Sequence, residues 1–160
     1  MRGSSTASAR AVAALALAFL FARPVAANPL YDLDLAALDG PGRVALVDYR
    51  EHWLLLSFFE PECAWCHRQL KALERLSGRC GDTLQAMAVG INGRDLALRR
   101  ARVTFPAARG SAALLERTGE IPATPWTLLL SPRGDVAATL RGFVREEQLA
   151  AGFPALCGEP

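Results

Sequence analysis

The sequence predicts an α/β fold in which helices flank a mixed central sheet. Two nearly continuous apolar runs, over residues 53–59 and 84–91, have the pattern of strands covered on both faces. The first run leads into a segment with helical periodicity, and a hairpin with a final helix closes the chain. This alternation of strands and helices favours a layered α/β architecture.

Turn residues and helical periodicity predict the elements before and after the first long run. Residues 30–38 mix apolar and acidic side chains, and the turn residues at 39–42 separate them from a short strand predicted over 43–47. After residue 66, leucines recur at helical spacing with charged residues on the other faces. Ser77-Gly78 predicts the end of this helix.

The second half of the chain has clearer boundaries. Residues 95–102 predict a helix, 103–106 a short extended piece, and 111–118 a helix for which Ser111 supplies the N-cap. Strands over 127–130 and 136–140 flank the turn residues 131–135 and form a hairpin. Residues 145–153 predict the last helix.

The first 27 residues differ in character from the rest. Arg2 and Arg10 accompany an apolar run over residues 11–21, and small residues at 25–27 match a cleavage site. This pattern predicts a signal peptide over residues 1–27 and one domain over 28–160. The run is shorter than the roughly 20 residues of a membrane span, and an uncleaved N-terminal anchor is the alternative. Either case predicts a periplasmic or otherwise extracytoplasmic domain.

The composition suits a single domain without a nucleic-acid partner. The chain has 160 residues, 51% of them hydrophobic, which is enough for one core. Its net charge is only +2, and the charged residues are scattered without a long basic run. Nucleic-acid binding requires a basic patch, so this class of function is excluded.

In an exported domain the four cysteines can form disulfides, because disulfides persist outside the cytoplasm. Four cysteines allow three pairings. The two histidines, His52 and His67, and the lack of a second C-x-x-C argue against structural zinc. We therefore expect no metal site and no cofactor. The cysteines are Cys63, Cys66, Cys80 and Cys157.

Cys63-Ala64-Trp65-Cys66 lies where a buried strand meets an amphipathic helix. Disulfide exchange needs an attacking thiolate and a second thiol that can resolve the mixed disulfide. The helix N-terminus stabilises a thiolate at Cys63, and Cys66 follows one turn later. The motif therefore predicts a redox centre in which Cys63 is the nucleophile and Cys66 the resolving thiol.

Three segments resemble a known family. The segment LLLSFFEPECAWCHRQLKALERL resembles the strand, active site and helix of exported thioredoxin-like thiol–disulfide oxidoreductases. YDLDLAALDGPGRVALVDYREHW is similar to the N-terminal hairpin of the TlpA/ResA-like branch, and VTFPAARGSAALLERTGEIPATPWTLLLSPRGDVAATLRGF to its stretch from inserted helix to final hairpin. The resemblance covers residues 30–153.

This resemblance implies a thioredoxin-like fold with an N-terminal β-hairpin and a central insertion. It also implies a disulfide reductase or isomerase that exchanges disulfides with protein substrates and with a separate redox donor or acceptor. Members carry a cis-proline that faces the active site, and Thr124-Pro125 matches that position. Thr124 would then pair with a substrate strand, and Trp65 and Trp126 would form an apolar rim around Cys63. An ordinary trans turn proline is the alternative.

The resemblance further implies a structural disulfide. In thioredoxin-like folds the active-site helix and the last helix share one face of the sheet, and both run away from the active site. Cys80 follows the first of these helices and Cys157 the last. The two cysteines are therefore expected to meet and form a bond, and two unrelated thiols are the alternative.

Several positions depart from the family pattern. Glu62 occupies the place of a common tryptophan, and Ser57 and Gln69 occupy places where relatives carry a proton-accepting carboxylate. We expect Glu60 to be a solvated loop acid, and a substitute for these carboxylates is the alternative. We expect His67 to face solvent in the first helical turn.

Two other functions compete with an oxidoreductase. Cys63 and Cys66 are soft ligands, so a copper(I)-binding or metallochaperone-like protein is the main alternative. Neither His52 nor His67 matches the additional histidine of Sco-like copper proteins. A redox-inert domain that binds a partner through the cis-proline face is the other alternative, and the intact cysteine pair disfavours it.

Overall fold

A five-stranded mixed sheet forms the centre of the molecule, in a computed structural model that describes residues 29–158. The strand order is β5-β4-β3-β6-β7, with β4 parallel to both β3 and β5, and β6 antiparallel to both β3 and β7. The strands are β3 (Trp53–Phe59), β4 (Leu84–Gly90), β5 (Ala107–Arg109), β6 (Trp126–Leu130) and β7 (Val136–Arg141). The predicted mixed sheet is confirmed.

A small hairpin precedes this sheet. Strands β1 (Asp34–Ala36) and β2 (Arg43–Ala45) pair antiparallel, and a 3-10 helix follows over Leu46–Tyr49. The strand predicted over 43–47 is therefore shorter, since Leu46 turns into the core instead of continuing the ladder. The signal peptide predicted over residues 1–27 lies outside the described residues.

Within the described residues, four α-helices surround the sheet. They are α1 (Ala64–Cys80), α2 (Asp95–Leu98), α3 (Ala112–Thr118) and α4 (Glu146–Gly152). Alternate residues of the central strand face opposite sides. Leu55 packs with leucines of α1 and α4, whereas Leu54 and Leu56 pack with α3 and the N-terminal segment. The molecule thus has a core on each side of the sheet.

Other predicted boundaries were also wrong, and the helix predicted over 95–102 is α-helical only to Leu98, with a 3-10 turn over Arg99–Ala101. Helix α1 continues through Ser77-Gly78 to Cys80, and Gly81 ends it with a φ of 58°. Leu76 and Cys80 are both buried on the packed face, so tertiary packing outweighs the local stop signal. The extended piece predicted over 103–106 precedes the actual strand β5, which pairs with the end of β4.

Within residues 29–158, no helix is both long enough and apolar enough to cross a membrane.

Candidate functional site

Cys63 and Cys66 lie at the junction that the sequence predicted for them. Strand β3 ends at Phe59, a three-residue loop follows, and Cys63 is the N-cap of α1. The two cysteines form a disulfide with their Cα atoms 5.2 Å apart. The Sγ atom of Cys63 accepts a hydrogen bond from the backbone N–H of Cys66, at 3.1 Å. Since helix N-termini favour negative charge, a thiolate at Cys63 would be stabilised here.

The two sulfur atoms differ in access to solvent. Cys66 is fully buried, among residues that include Phe59 and Leu70. Cys63 is half-buried and borders a shallow surface pocket together with the loop residues that precede it. A reagent or partner can therefore reach the Cys63 side of the disulfide first.

The Thr124–Pro125 peptide bond is cis, as the resemblance implied. It precedes β6, which pairs with the strand that leads to Cys63. The carbonyl oxygen of Thr124 lies 3.7 Å from Cys63 Sγ. Position 124 therefore borders the exposed side of the cysteine pair.

Glu60 connects three segments around this site. One carboxylate oxygen accepts a hydrogen bond from the Thr124 hydroxyl at 2.9 Å, and the other accepts one from Asn92 Nδ2 at 2.7 Å. Its backbone carbonyl accepts from the N–H of Cys63 at 3.3 Å. Glu60 is half-buried, so it is not the freely solvated loop acid expected from the sequence.

Trp65, two positions after Cys63, forms an aromatic pair with Phe143. Trp65 is 55% exposed, and its ring centroid is 5.8 Å from that of Phe143, which is 37% exposed. The Arg68 guanidinium lies over the Trp65 ring, 4.7 Å from its centroid. Trp126, the other aromatic residue expected in the rim, is only 9% exposed and packs in the core.

Ser57 and Gln69, at the positions where relatives carry a carboxylate, are buried neutral side chains. Ser57 and Thr127 are fully buried, and their hydroxyl oxygens are 2.9 Å apart. Gln69 is also fully buried, and its Oε1 accepts a hydrogen bond from the backbone N–H of Val144 at 2.7 Å. No charge therefore enters the interior below the cysteine pair at these positions.

Both histidines contact backbone carbonyls. His67 Nε2 lies 2.9 Å from the backbone oxygen of Pro61, in the loop between β3 and α1. The half-buried ring therefore contacts this loop and does not face open solvent as expected. His52 Nδ1 lies 2.6 Å from the Asp82 oxygen. Among residues 29–158, no three His, Cys, Asp or Glu side chains are grouped so that they could hold a metal ion.

The remaining two cysteines meet at the opposite end of α1. Cys80 is the last residue of the helix, and Cys157 ends a 3-10 helix that follows α4. The two form a disulfide with Cα atoms 4.2 Å apart. They pack in the same cluster as Leu76 and Leu156, on the α1 and α4 side of the sheet.

Sequence reasoning missed two residues of the site. Asn92 follows β4, and its positive φ of 53° is a conformation that asparagine tolerates better than most residues. Phe143 follows β7, and the N–H of its neighbour Gly142 donates to the carbonyl of Pro125 at 2.9 Å. Asn92 bonds Glu60 and Phe143 contacts Trp65 only because the folded sheet brings their loops to the active-site segment, so no local pattern marks them.

Known proteins support the architecture. No protein-family model matches the sequence. The fold is similar to that of MTB DsbF, with a TM-score of 0.69 and 17% identity over 81% of this chain and 97% of that one. It is similar to a secreted Mycobacterium tuberculosis disulfide oxidoreductase homologous to E. coli DsbE, with a TM-score of 0.66 and 13% identity over 80% and 98% of the two chains.

A further similar structure is a DsbF homologue from Corynebacterium diphtheriae. Its TM-score is 0.66 and its identity 20%, over 78% of this chain and 83% of that chain. These similarities show that the chain has a thioredoxin-like fold, as the resemblance implied. The N-terminal hairpin forms a separate two-stranded sheet beside the central one.

Proposed function

We propose that this thioredoxin-fold protein is a thiol–disulfide oxidoreductase that exchanges disulfides with protein substrates through Cys63 and Cys66. The observation that carries the proposal is the asymmetric pair at the start of α1, with Cys63 accessible and Cys66 buried behind it. The similar structures named above include a disulfide oxidoreductase, which agrees with this assignment.

The geometry supports a two-step exchange. In the reduced protein the Cys63 thiolate attacks one sulfur of a substrate disulfide, and the other substrate sulfur leaves as a thiolate. Cys66 then loses its proton and attacks Cys63 Sγ, which releases the second substrate thiolate and closes the Cys63–Cys66 bond. Two electrons pass from the protein to the substrate, and the reverse sequence oxidises a dithiol.

The substrate-binding surface follows from the surroundings of Cys63. An extended partner chain would lie along Thr124, because its carbonyl oxygen is 3.7 Å from Cys63 Sγ. Apolar side chains of the partner would contact Trp65 and Phe143, the exposed aromatic rings beside the site. Pro125 is buried and would shape this surface from below.

The proposed location is periplasmic or otherwise extracytoplasmic. Residues 1–27 have the pattern of a signal peptide. The Cys80–Cys157 disulfide would persist in an oxidising compartment. One similar structure belongs to a secreted protein and another to an exposed lipoprotein of Streptococcus pneumoniae.

Reduction of insulin by dithiothreitol tests the proposed function. We expect the purified protein to accelerate the reaction and the Cys63→Ser variant to fall to the uncatalysed rate, because it lacks the attacking sulfur. Cys66→Ser should instead accumulate mixed disulfides that mass spectrometry detects. A wild-type rate equal to that of dithiothreitol alone would contradict the proposal.

A further inference from the structure

Glu60 holds a position that the exchange chemistry itself does not explain. It follows the last residue of β3 and begins the loop that ends at Cys63. Both of its carboxylate oxygens are engaged, one by Thr124 and the other by Asn92. A carboxylate held in this way is placed to fix loops rather than to carry protons to and from Cys66.

The three segments that Glu60 connects come from different parts of the sheet. They are the loop after β3, the residues after β4, and the residues before β6. Loops between such elements have conformational freedom that is costly to remove at the moment of binding. A half-buried carboxylate that bonds to two of them restricts this freedom in advance.

Thr124 is the residue whose position matters most for a partner chain. Its hydroxyl donates to Glu60, and its carbonyl oxygen lies 3.7 Å from Cys63 Sγ. The Glu60 backbone carbonyl also accepts from the N–H of Cys63. A single residue thus sets the distance between the nucleophile and the backbone along which an extended substrate would lie.

We propose that Glu60 is a positioning residue that holds Thr124 against Cys63 and thereby favours polypeptide disulfides over small ones. This inference rests on the proposed oxidoreductase function. A polypeptide must align with the Thr124 backbone while its sulfur meets Cys63, so it depends on the Glu60–Thr124 bond. A small disulfide needs only access to Cys63 and does not depend on that bond.

The test compares two oxidised substrates, insulin and hydroxyethyl disulfide, for each reduced variant. The measured quantity is the ratio of the two rates. We expect Glu60→Ala and Thr124→Val to lower this ratio by about tenfold each, because each removes the hydrogen bond between Thr124 and the charged Glu60 carboxylate. The double variant should lower it no further, because both changes remove the same bond.

Conservative variants separate geometry from charge. In Glu60→Gln, the amide oxygen can accept from Asn92 and the amide nitrogen can donate to Thr124, so the ratio should recover most of its wild-type value. Thr124→Ser keeps the hydroxyl and should recover it in the same way. Glu62→Gln is the matched control, since Glu62 is an exposed carboxylate in the same loop and its loss should leave the ratio unchanged.

Each remaining outcome contradicts one specific statement. If Glu60→Ala and Thr124→Val slow both substrates equally, or if Glu60→Gln is as impaired as Glu60→Ala, the positioning role is wrong although the proposed function stands. If the wild-type protein reduces neither substrate, the proposed function itself fails. Should Glu60→Ala not fold, the pair Thr124→Val and Thr124→Ser, which differ in the hydroxyl group, decides the question.

Discussion

Cys63 and Cys66 are one helical turn apart, yet their side chains occupy different environments. Cys66 is fully buried, whereas Cys63 borders a surface pocket and caps the helix. The backbone N–H of Cys66 points at Cys63 Sγ. In the reduced protein the same donor and the helix dipole would stabilise a thiolate at Cys63 and not at Cys66.

This asymmetry predicts an order of alkylation. When the reduced, folded protein is treated with iodoacetamide, we expect Cys63 to be modified first and Cys66 only slowly, because the reagent needs an accessible thiolate. Peptide mass spectrometry of samples quenched at increasing times measures both rates. In urea the two rates should become similar, which is the control. Equal rates in the folded protein would rule out the assignment of roles.

At the scale of secondary structure, Gln69 links the active-site helix to the last one. It lies on α1, and its amide oxygen accepts from the N–H of Val144, just before α4 begins. Its Nε2 has no hydrogen-bond partner within residues 29–158. Gln69 therefore satisfies the N–H of half-buried Val144, while its own amide nitrogen stays without a partner among the described residues.

Substitution of Gln69 by leucine should destabilise the domain slightly. Leucine has a similar size but leaves the Val144 N–H without an acceptor, a loss that the removal of the unpaired Nε2 partly offsets. We expect the free energy of unfolding to fall by about 1 kcal/mol, the low end for an unsatisfied buried group. Urea denaturation measures it, and Gln85→Leu on β4 is the control. A Gln69→Leu variant more stable than the wild type would overturn this reasoning.

The same scale shows what the sequence could predict. Strand β3 was bounded correctly because a central strand covered on both faces is a continuous apolar run. Helix α3 was bounded correctly because Ser111 caps it, with its hydroxyl accepting from the N–H of Leu114. Strand β5 was missed because three residues at a sheet edge carry no periodicity.

Some residues of the candidate site could be predicted from the sequence, whereas their contacts with one another could not. Cys63, Cys66 and Pro125 follow from a motif and from a resemblance, both of which are local in the sequence. The contacts of Glu60 with Asn92 and Thr124 join residues that are 32 and 64 positions apart. Such contacts depend on which strands become neighbours, and no single segment of the sequence specifies that.

At the scale of the whole molecule, one disulfide joins the end of α1 to the C-terminal segment. Cys80 and Cys157 are separated by 77 positions, so their bond closes a loop that contains most of the central sheet. A bond of this kind restricts the unfolded chain more strongly as the loop lengthens. We therefore expect the Cys80–Cys157 disulfide to stabilise the whole domain.

Removal of this bond should be costly. We expect the double variant Cys80→Ala/Cys157→Ala to lose roughly 4 kcal/mol of unfolding free energy under oxidising conditions, as the chain-entropy model gives for such a loop. Guanidinium denaturation of both proteins measures the loss. Under strongly reducing conditions most of the difference should disappear, which is the control. Equal stability under oxidising conditions would show that the bond is absent or without effect.

The length of α1 has a consequence for the durability of the protein during repeated use. The helix has 17 residues, with Cys63 capping its first turn and Cys80 ending its last, so about 25 Å separates the two disulfides. A thiolate at Cys63 cannot reach the Cys80–Cys157 bond in its own molecule. Because α1 keeps the two disulfides apart, Cys63 cannot exchange with the Cys80–Cys157 bond within one molecule. Each catalytic turnover therefore leaves the structural disulfide intact.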